Sequence, residues 1–355
     1  MRKSRYAHHT SLALKDFTVF QDFEISFKPG LNVILGGNGT GKTHLLKVLY
    51  SLDSVRSHWR DIGEEKTEGP YGVWLGNVWK RQLQSTFLPE KFEDIYRRGQ
   101  AACTVTAEWA DGTKFRISLS EQGANVANTA LDMEVVAPVF IPSKDILGHS
   151  RGFLSLYSLR EIDFDQTYFD LLNAAYLNPL REKANSKLLK IIEKIIGGRV
   201  VNRGERFYIE APKGGGRTEL HMVAEGWRKL ALLYLLIENG SLAPGRILLW
   251  DEPEANLNPA YMDEVIEIVL TLARAGTQVI LTTHDYVILK EIDLRATAKD
   301  DVAYFALEAT ENGTVARTAD DFASLNPNLI LDQFDSLLVR DLQRADAIAS
   351  PGDEG

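Results

Sequence analysis

Cysteine is nearly absent. Cys103 is the single one among 355 residues, which excludes an internal disulfide and any zinc site built on cysteines; it reads as a small packed residue on a strand. Long apolar runs are missing as well. No stretch approaches the roughly 20 residues of a membrane span. Met1-Arg2-Lys3-Ser4-Arg5 leads into no signal-peptide core, so the expectation is a cytoplasmic chain without membrane insertion. An excess of positive charge is lacking too: 40 Lys and Arg against 49 Asp and Glu leave a formal charge of −9, which argues against a surface basic all over. The pairs Lys80-Arg81 and Arg97-Arg98 are where a local nucleic-acid patch would form, and solvated helix faces explain them equally well. No heptad pattern is long enough for an extended coiled coil. With 45% hydrophobic and 25% charged residues, the chain is ordinary in composition and long enough to bury a large core.

Against that background one stretch stands out. Gly36-Gly37-Asn38-Gly39-Thr40-Gly41-Lys42-Thr43 fits G-x-x-x-x-G-K-[ST]. An apolar run (Leu31, Val33, Ile34, Leu35) precedes it and a helical pattern (Leu45, Leu46, Val48, Leu49) follows, the strand–loop–helix setting of a phosphate cradle. The glycines let successive N–H groups turn toward phosphate oxygens, and the helix start adds the positive end of its dipole. Lys42 is placed to reach the β- and γ-phosphates and Thr43 to give its hydroxyl to Mg²⁺; Gly36 to His44 are the expected nucleotide-binding run.

Around this loop, period-two alternation predicts strands over Leu12–Leu14 and Phe23–Phe27, then a hairpin from Cys103–Trp109 through Asp111-Gly112 to Phe115–Leu119. These make a β-rich layer over the P-loop strand. Phe17 and Phe20 sit between the first two strands, where core packing outweighs stacking on adenine. Helices are expected near 78–87 and before Arg98, and a strand over 135–141 leading out of the head. Residues 150–215 read as a mainly helical insertion, a lid or short arm. Its helix carries Leu188, Leu189, Ile191, Ile192, Ile195 and Ile196 and stops at Gly197-Gly198.

A second motif, Ile247-Leu248-Leu249-Trp250-Asp251-Glu252, is an apolar strand ending in two carboxylates, which places them at the sheet edge beside the phosphates. Asp251 is expected to hold Mg²⁺ and Glu252 to polarise an attacking water. The loop Pro253-Glu254-Ala255-Asn256-Leu257-Asn258-Pro259 follows, then a helix over 260–275 and a strand Val279–Thr283 ending at His284, a candidate sensor of the γ-phosphate. Gly226, 25 residues before Asp251, opens another helix within Ala224-Glu225-Gly226-Trp227-Arg228-Lys229.

Together, the loop with Asn38, the Asp251-Glu252 pair with its Asn-Leu-Asn-Pro continuation, and His284 resemble the ABC-type ATPase head, in particular bacterial ATPases related to SMC, RecF and the overcoming-lysogenization-defect proteins. The likeness runs from about Ser11 to Leu294 and implies an α/β fold: a P-loop NTPase of ABC-ATPase type with a β-rich subdomain and a mainly helical insertion. It divides the chain into an N-terminal lobe (1–149), the insertion (150–215), a C-terminal lobe (216–345) and a flexible tail (346–355). It implies ATP and Mg²⁺ as ligands, with Thr43 and Asp251 at the metal and Lys42, Glu252 and His284 as catalytic residues. Two heads would sandwich two ATP molecules, Gly226 belonging to the signature loop and Asn256 and Asn258 to the D-loop. Two departures stand out: no serine occupies the signature position at Ala224 or Glu225, and only Gln82 and Gln84 offer themselves for the Q-loop. The 71 residues after His284 (355 minus 284) are too few for the nuclease module of the overcoming-lysogenization-defect proteins. The expected partners are a second copy and a separately encoded effector in a bacterial defence system, with DNA also possible. The rival readings are a DNA-repair or chromosome-associated ATPase and the ATP-binding subunit of a membrane transporter.

Overall fold

Leu12 and Leu14 on β1 (His9–Phe17) and Phe23 and Ile25 on β2 (Phe20–Ser26) are buried in the computed structural model, while the residues between them face outward. The structure describes residues 8–57, 71–127, 137–181 and 186–349. Antiparallel pairing joins these strands to β4 (Ala102–Trp109), β5 (Lys114–Ser120) and β6 (Gly123–Ala127) in the order β2-β1-β4-β5-β6. The turn between β4 and β5 forms at Asp111-Gly112 as the sequence predicts: Gly112 takes φ 90°, and the Asp111 carboxylate accepts the Thr113 N–H at 2.7 Å. The strand β6 was not foreseen, because Gly-Ala-Asn-Val-Ala contains one strong strand former.

The second sheet is apolar on both faces, as buried parallel strands require. Its order is β14-β13-β3-β12-β11-β7, built from β3 (Leu31–Gly36), β7 (Val139–Ile141), β11 (Ile247–Asp251), β12 (Gln278–Thr283), β13 (Val302–Thr310) and β14 (Gly313–Ala319), with only β14 antiparallel. Ile34, Leu249 and Ile280 face α1 (Lys42–Ser57), α2 (Tyr71–Phe87) and the antiparallel sheet in one core; Leu35, Leu248 and Leu281 face a second core. Helix α2 begins well before the expected residue 78, and a short 3-10 turn, Phe92–Ile95, replaces the helix expected before Arg98.

The second core corrects two expectations. The strand over 135–141 shortens to Val139–Ile141 and, instead of leading out of the head, pairs in parallel with β11 at the sheet's edge; residues 135 and 136 lie outside the described residues. The segment 150–215 does not stand off as an arm. Phe153 of α3 (Phe153–Ser158), Leu171 and Leu172 of α4 (Gln166–Ala175), and Leu188, Leu189, Ile192 and Ile196 of α5 (Ser186–Ile196) share one cluster with α6 (Glu225–Glu238) and α7 (Met262–Arg274). The three strands β8 (Arg199–Arg203), β9 (Arg206–Glu210) and β10 (Arg217–Glu219) pair across the position where the insertion was expected to end. After α8 (Tyr286–Arg295) and the β13–β14 hairpin, helix α9 (Leu329–Ala349) runs into the stretch expected to be a flexible tail. Residues 350–355 lie outside the described residues.

Candidate nucleotide-binding site

Parallel register sets the site. Asp251 on β11 pairs with Thr282 on β12, and Thr283 pairs with Leu35 on β3, so the ends of three strands share one edge of the sheet. At that edge the Thr43 hydroxyl, in the first turn of α1, donates to Asp251 Oδ2 at 2.8 Å across 208 residues of sequence. The Thr282 hydroxyl donates to the other Asp251 oxygen at 2.5 Å.

The loop between β3 and α1 has the shape its glycines permit. Gly39 and Gly41 take φ of 78° and 93°. A Cβ at Gly41 would fall 2.6 Å from the Phe20 ring, and one at Gly36 would fall 2.7 Å from the Thr40 hydroxyl and 2.9 Å from Leu307 O. Phe20 is fully buried behind the loop against Phe23, so it packs the core and does not face a ligand, and Phe17 is equally buried. Lys42 Nζ donates to Gly36 O at 2.8 Å and Gly37 O at 3.1 Å. Burial lowers its pKa, while the carboxylates of Glu252, Asp251 and Glu254 act to raise it. The half-buried His44 ring packs edge-on against Phe87 of α2, and its Nδ1 has no hydrogen-bond partner among the described residues.

Beyond Asp251 the chain turns sharply. Glu252 takes φ 49° and Asn256 φ 61°, left-handed conformations that cost free energy in residues other than glycine. Glu252 Oε1 lies 3.3 Å from His284 Nδ1, so the two expected catalytic residues meet. A third acid, given no role from the sequence, holds the arrangement. Glu254 Oε1 accepts the Thr283 hydroxyl at 2.8 Å and the His284 N–H at 3.0 Å, and burial raises its pKa. Lys229 on α6 was missed too: its buried ammonium donates to Ala255 O at 2.6 Å and Glu252 O at 3.4 Å, tying the start of α6 to the same loop. The sequence did offer a signal for Glu254, a third carboxylate two residues past Glu252, facing a strand that ends in consecutive threonines.

Gly226, buried in the first turn of α6, has no space for a side chain: a Cβ would lie 2.9 Å from Asn256 O and from Leu257 Cδ1. Asn256 and Asn258 are exposed on that loop, and the Asn258 side chain caps a short turn by accepting the Ala260 N–H at 2.9 Å. Arg228 is committed within its own subunit, to Asp145 at 2.6 Å and Val223 O at 2.8 Å. Neither Q-loop candidate stands out at the edge: Gln82 bonds Thr86 in its own helix and Gln84 is exposed on α2. Burial, with the Asp165 and Asp251 carboxylates adding to it, pushes the Tyr168 phenol up to about 12.

Oxygen donors of this kind, a hydroxyl and a carboxylate on one edge, suit a hard cation such as Mg²⁺. Residues 139–290 match the family described as "AAA domain, putative AbiEii toxin, Type IV TA system", and residues 11–49 match a second AAA domain family. The chain superposes on an SMC head bound to the C-winged helix domain of ScpA with a TM-score of 0.57 at 14% identity, covering 88% of this chain and 97% of that one. The fold is that of an SMC-type ATPase head. A Pyrococcus furiosus SMC head, also solved with a domain of ScpA, gives a TM-score of 0.56 at 12% identity over 94% of this chain and 99% of that one. The DNA replication and repair protein RecF of Streptococcus gordonii is 52% identical over 48 residues, and that of Enterobacter is 26% identical over 131. Those matches span 13% and 32% of the relatives' lengths, so the likeness to RecF concerns part of the head. No helix among the described residues is long and apolar enough to cross a membrane.

Proposed function

We propose that this head binds ATP with Mg²⁺ at the β3–α1 loop, hydrolyses it, and uses nucleotide-dependent association with a second copy to control a partner. The observation that carries the reading is the Thr43–Asp251 contact at 2.8 Å, with Lys42, Glu252 and His284 gathered at the same sheet edge. The loop N–H groups and Lys42 would bind the β- and γ-phosphates, and Glu252, held in a left-handed turn, would orient the attacking water. Mg²⁺ held by Thr43 and Asp251 would neutralise phosphate charge. His284, whose backbone is fixed by Glu254, would sense the γ-phosphate. The second subunit would present the exposed start of α6 and the Asn256–Asn258 loop to the open side of the nucleotide.

The partner is read as an effector encoded separately in an anti-phage system, which the AbiEii-type family match supports. A DNA-repair or chromosome-associated role is the second reading, favoured by the stretches shared with RecF.

Hydrolysis is tested by two substitutions. Glu252→Gln should keep ATP affinity while lowering turnover by about 10²- to 10⁴-fold, the usual contribution of a positioned general base. Lys42→Ala should weaken nucleotide binding itself. Titration and phosphate release on both proteins decide the matter, and parental turnover in Glu252→Gln would remove Glu252 from the mechanism.

A further inference from the structure

The parallel sheet has a second end. Leu31, Gln278 and Val302 are the first residues of β3, β12 and β13, Arg246 immediately precedes β11, and all four line a cavity of about 780 Å³. Asp251 stands five positions after Arg246 along β11, about 16 Å at roughly 3.3 Å per residue, so the cavity is remote from the phosphate loop. Its volume is that of a small-molecule site. Gly30, Gly245 and Gly276 line it with no side chains to fill it, and the Gly245 N–H donates to Gly276 O at 2.9 Å, joining the turns before β11 and β12.

Arg246, Arg274, Arg295 and Lys299 line the cavity against Asp300 and Asp301, a positive lining in a chain of net charge −9. Most of these charges already have partners. Arg274 and Arg295 end α7 and α8, where a cation offsets the negative pole of the helix. The Arg274 guanidinium donates to both oxygens of Asp300 at 2.7 and 2.8 Å, and Thr297 donates its N–H and its hydroxyl to the same carboxylate, which occupies Asp300. Arg295 pairs with Glu291 and Asp263. Asp301 is exposed, and its charge acts on His8, another lining residue, whose pKa burial lowers. Two cations remain. Lys299 is exposed and Arg246 half-buried, and neither has an ion pair among the described residues. Burial lowers the Arg246 pKa with no carboxylate opposing the shift. Its backbone is pinned, the N–H donating to Ala243 O at 3.2 Å and the carbonyl accepting the Gln278 N–H at 3.0 Å. A partly buried charge without a partner is costly, and an anion from outside the chain would offset that cost.

We propose that this cavity binds a phosphate group, free or carried by a small molecule, with the Arg246 guanidinium and the Lys299 ammonium as its cationic anchors. Two uncommitted cations match a dianion, and the guanidinium fork matches phosphate oxygens in pairs. A neutral or cationic ligand would leave Arg246 uncompensated. The site is separate from the phosphate loop and does not rest on the ATP-binding reading above.

The test titrates inorganic phosphate into the full chain carrying Lys42→Ala, which reduces competition from the phosphate loop, and follows the melting temperature. Phosphate also stabilises proteins by exclusion from their surface, a rise that does not saturate, whereas a bound ion adds a saturable step. Adding Arg246→Gln should weaken the saturable step at least tenfold. Lys299→Gln, at an exposed position where the fold tolerates change, should weaken it at least threefold, and Arg217→Gln, exposed on β10, should leave it unchanged. Without phosphate, Arg246→Gln should melt no lower than its parent, because it removes an uncompensated charge. Acetate, with a single charge, should bind at least tenfold more weakly than phosphate. Phenyl phosphate binding more tightly than the inorganic ion identifies an ester as the occupant, and weaker binding identifies the free ion. Absence of a saturable step, an equal step in Arg246→Gln, a clear loss of stability in that variant without phosphate, or acetate binding as tightly as phosphate overturns the proposal.

Discussion

Glu254 shows how one side chain orders the site. It lies in the turn after Asp251, buried, with one oxygen accepting two hydrogen bonds and the other lacking a partner among the described residues. Its folded pKa stands above the ordinary 4.5 because burial penalises the charge, while bonds from the His284 N–H and the Thr283 hydroxyl oppose the shift. A carboxyl with a raised folded pKa contributes its stability below about 4.5 and loses it as pH rises through the folded value. Glu254→Gln keeps an oxygen for both donors and carries no charge. It should therefore melt at or above the parent at pH 7, with the difference closing toward pH 4; thermal melts across that range would show it. A variant that melts lower at pH 7 would mean that Lys42 and Lys229 need the negative charge more than burial penalises it.

The start of α6 is the element on which the proposed association turns. Ala224 sits at the helix cap with an extended backbone and offers no side-chain acceptor to the first turn. Heads of this type usually carry a serine there, and Ala224→Ser would restore a capping oxygen worth about 0.5–2 kcal/mol. The expected result is a higher melting temperature together with tighter ATP-dependent association in the Glu252→Gln background. Ala224→Asp caps the helix equally well yet sets a carboxylate against the partner's γ-phosphate, so stability should rise while association falls. Calorimetry and light scattering read the two effects separately. Gly226 is unsuited to this purpose, since a side chain there collides with Asn256 and Leu257 of its own subunit before it could meet a second one.

At the scale of the whole molecule the question is whether the surface holds nucleic acid. Lys80 lies over the Phe92 ring at 4.5 Å, and Arg98 is exposed just beyond the 3-10 turn Phe92–Ile95, so the two basic pairs do flank one segment. Exposed Glu90, Glu93 and Asp94 lie among them and dilute the patch, within a chain of net charge −9. Binding to DNA should therefore be weak at low salt and show a shallow dependence on added salt. Filter binding measures the slope: a fall of 10³-fold or more between about 50 and 200 mM salt would reveal many phosphate contacts and favour the RecF-like role.

The motifs that depend on local sequence were legible without coordinates. The phosphate loop needs its glycines closely spaced within one short stretch, the Asp251-Glu252 pair follows directly on its own strand, and the β4–β5 hairpin follows from alternation around Asp-Gly; each depends on neighbours a few residues away. Tertiary structure decided what depends on distant segments. Parallel register brought Thr43 to Asp251 over 208 residues and set Thr283 beside Glu254. Packing set the His44 ring against Phe87, joined Arg228 to Asp145, and folded the 150–215 segment onto α6. Helix α9 belongs with these: its spacing is written in the sequence, but only the fold stacks Phe334 on Tyr286 and leaves Leu337, Leu338 and Leu342 exposed. Spacing fixes which face of a helix is apolar, and the rest of the chain determines whether that face is buried.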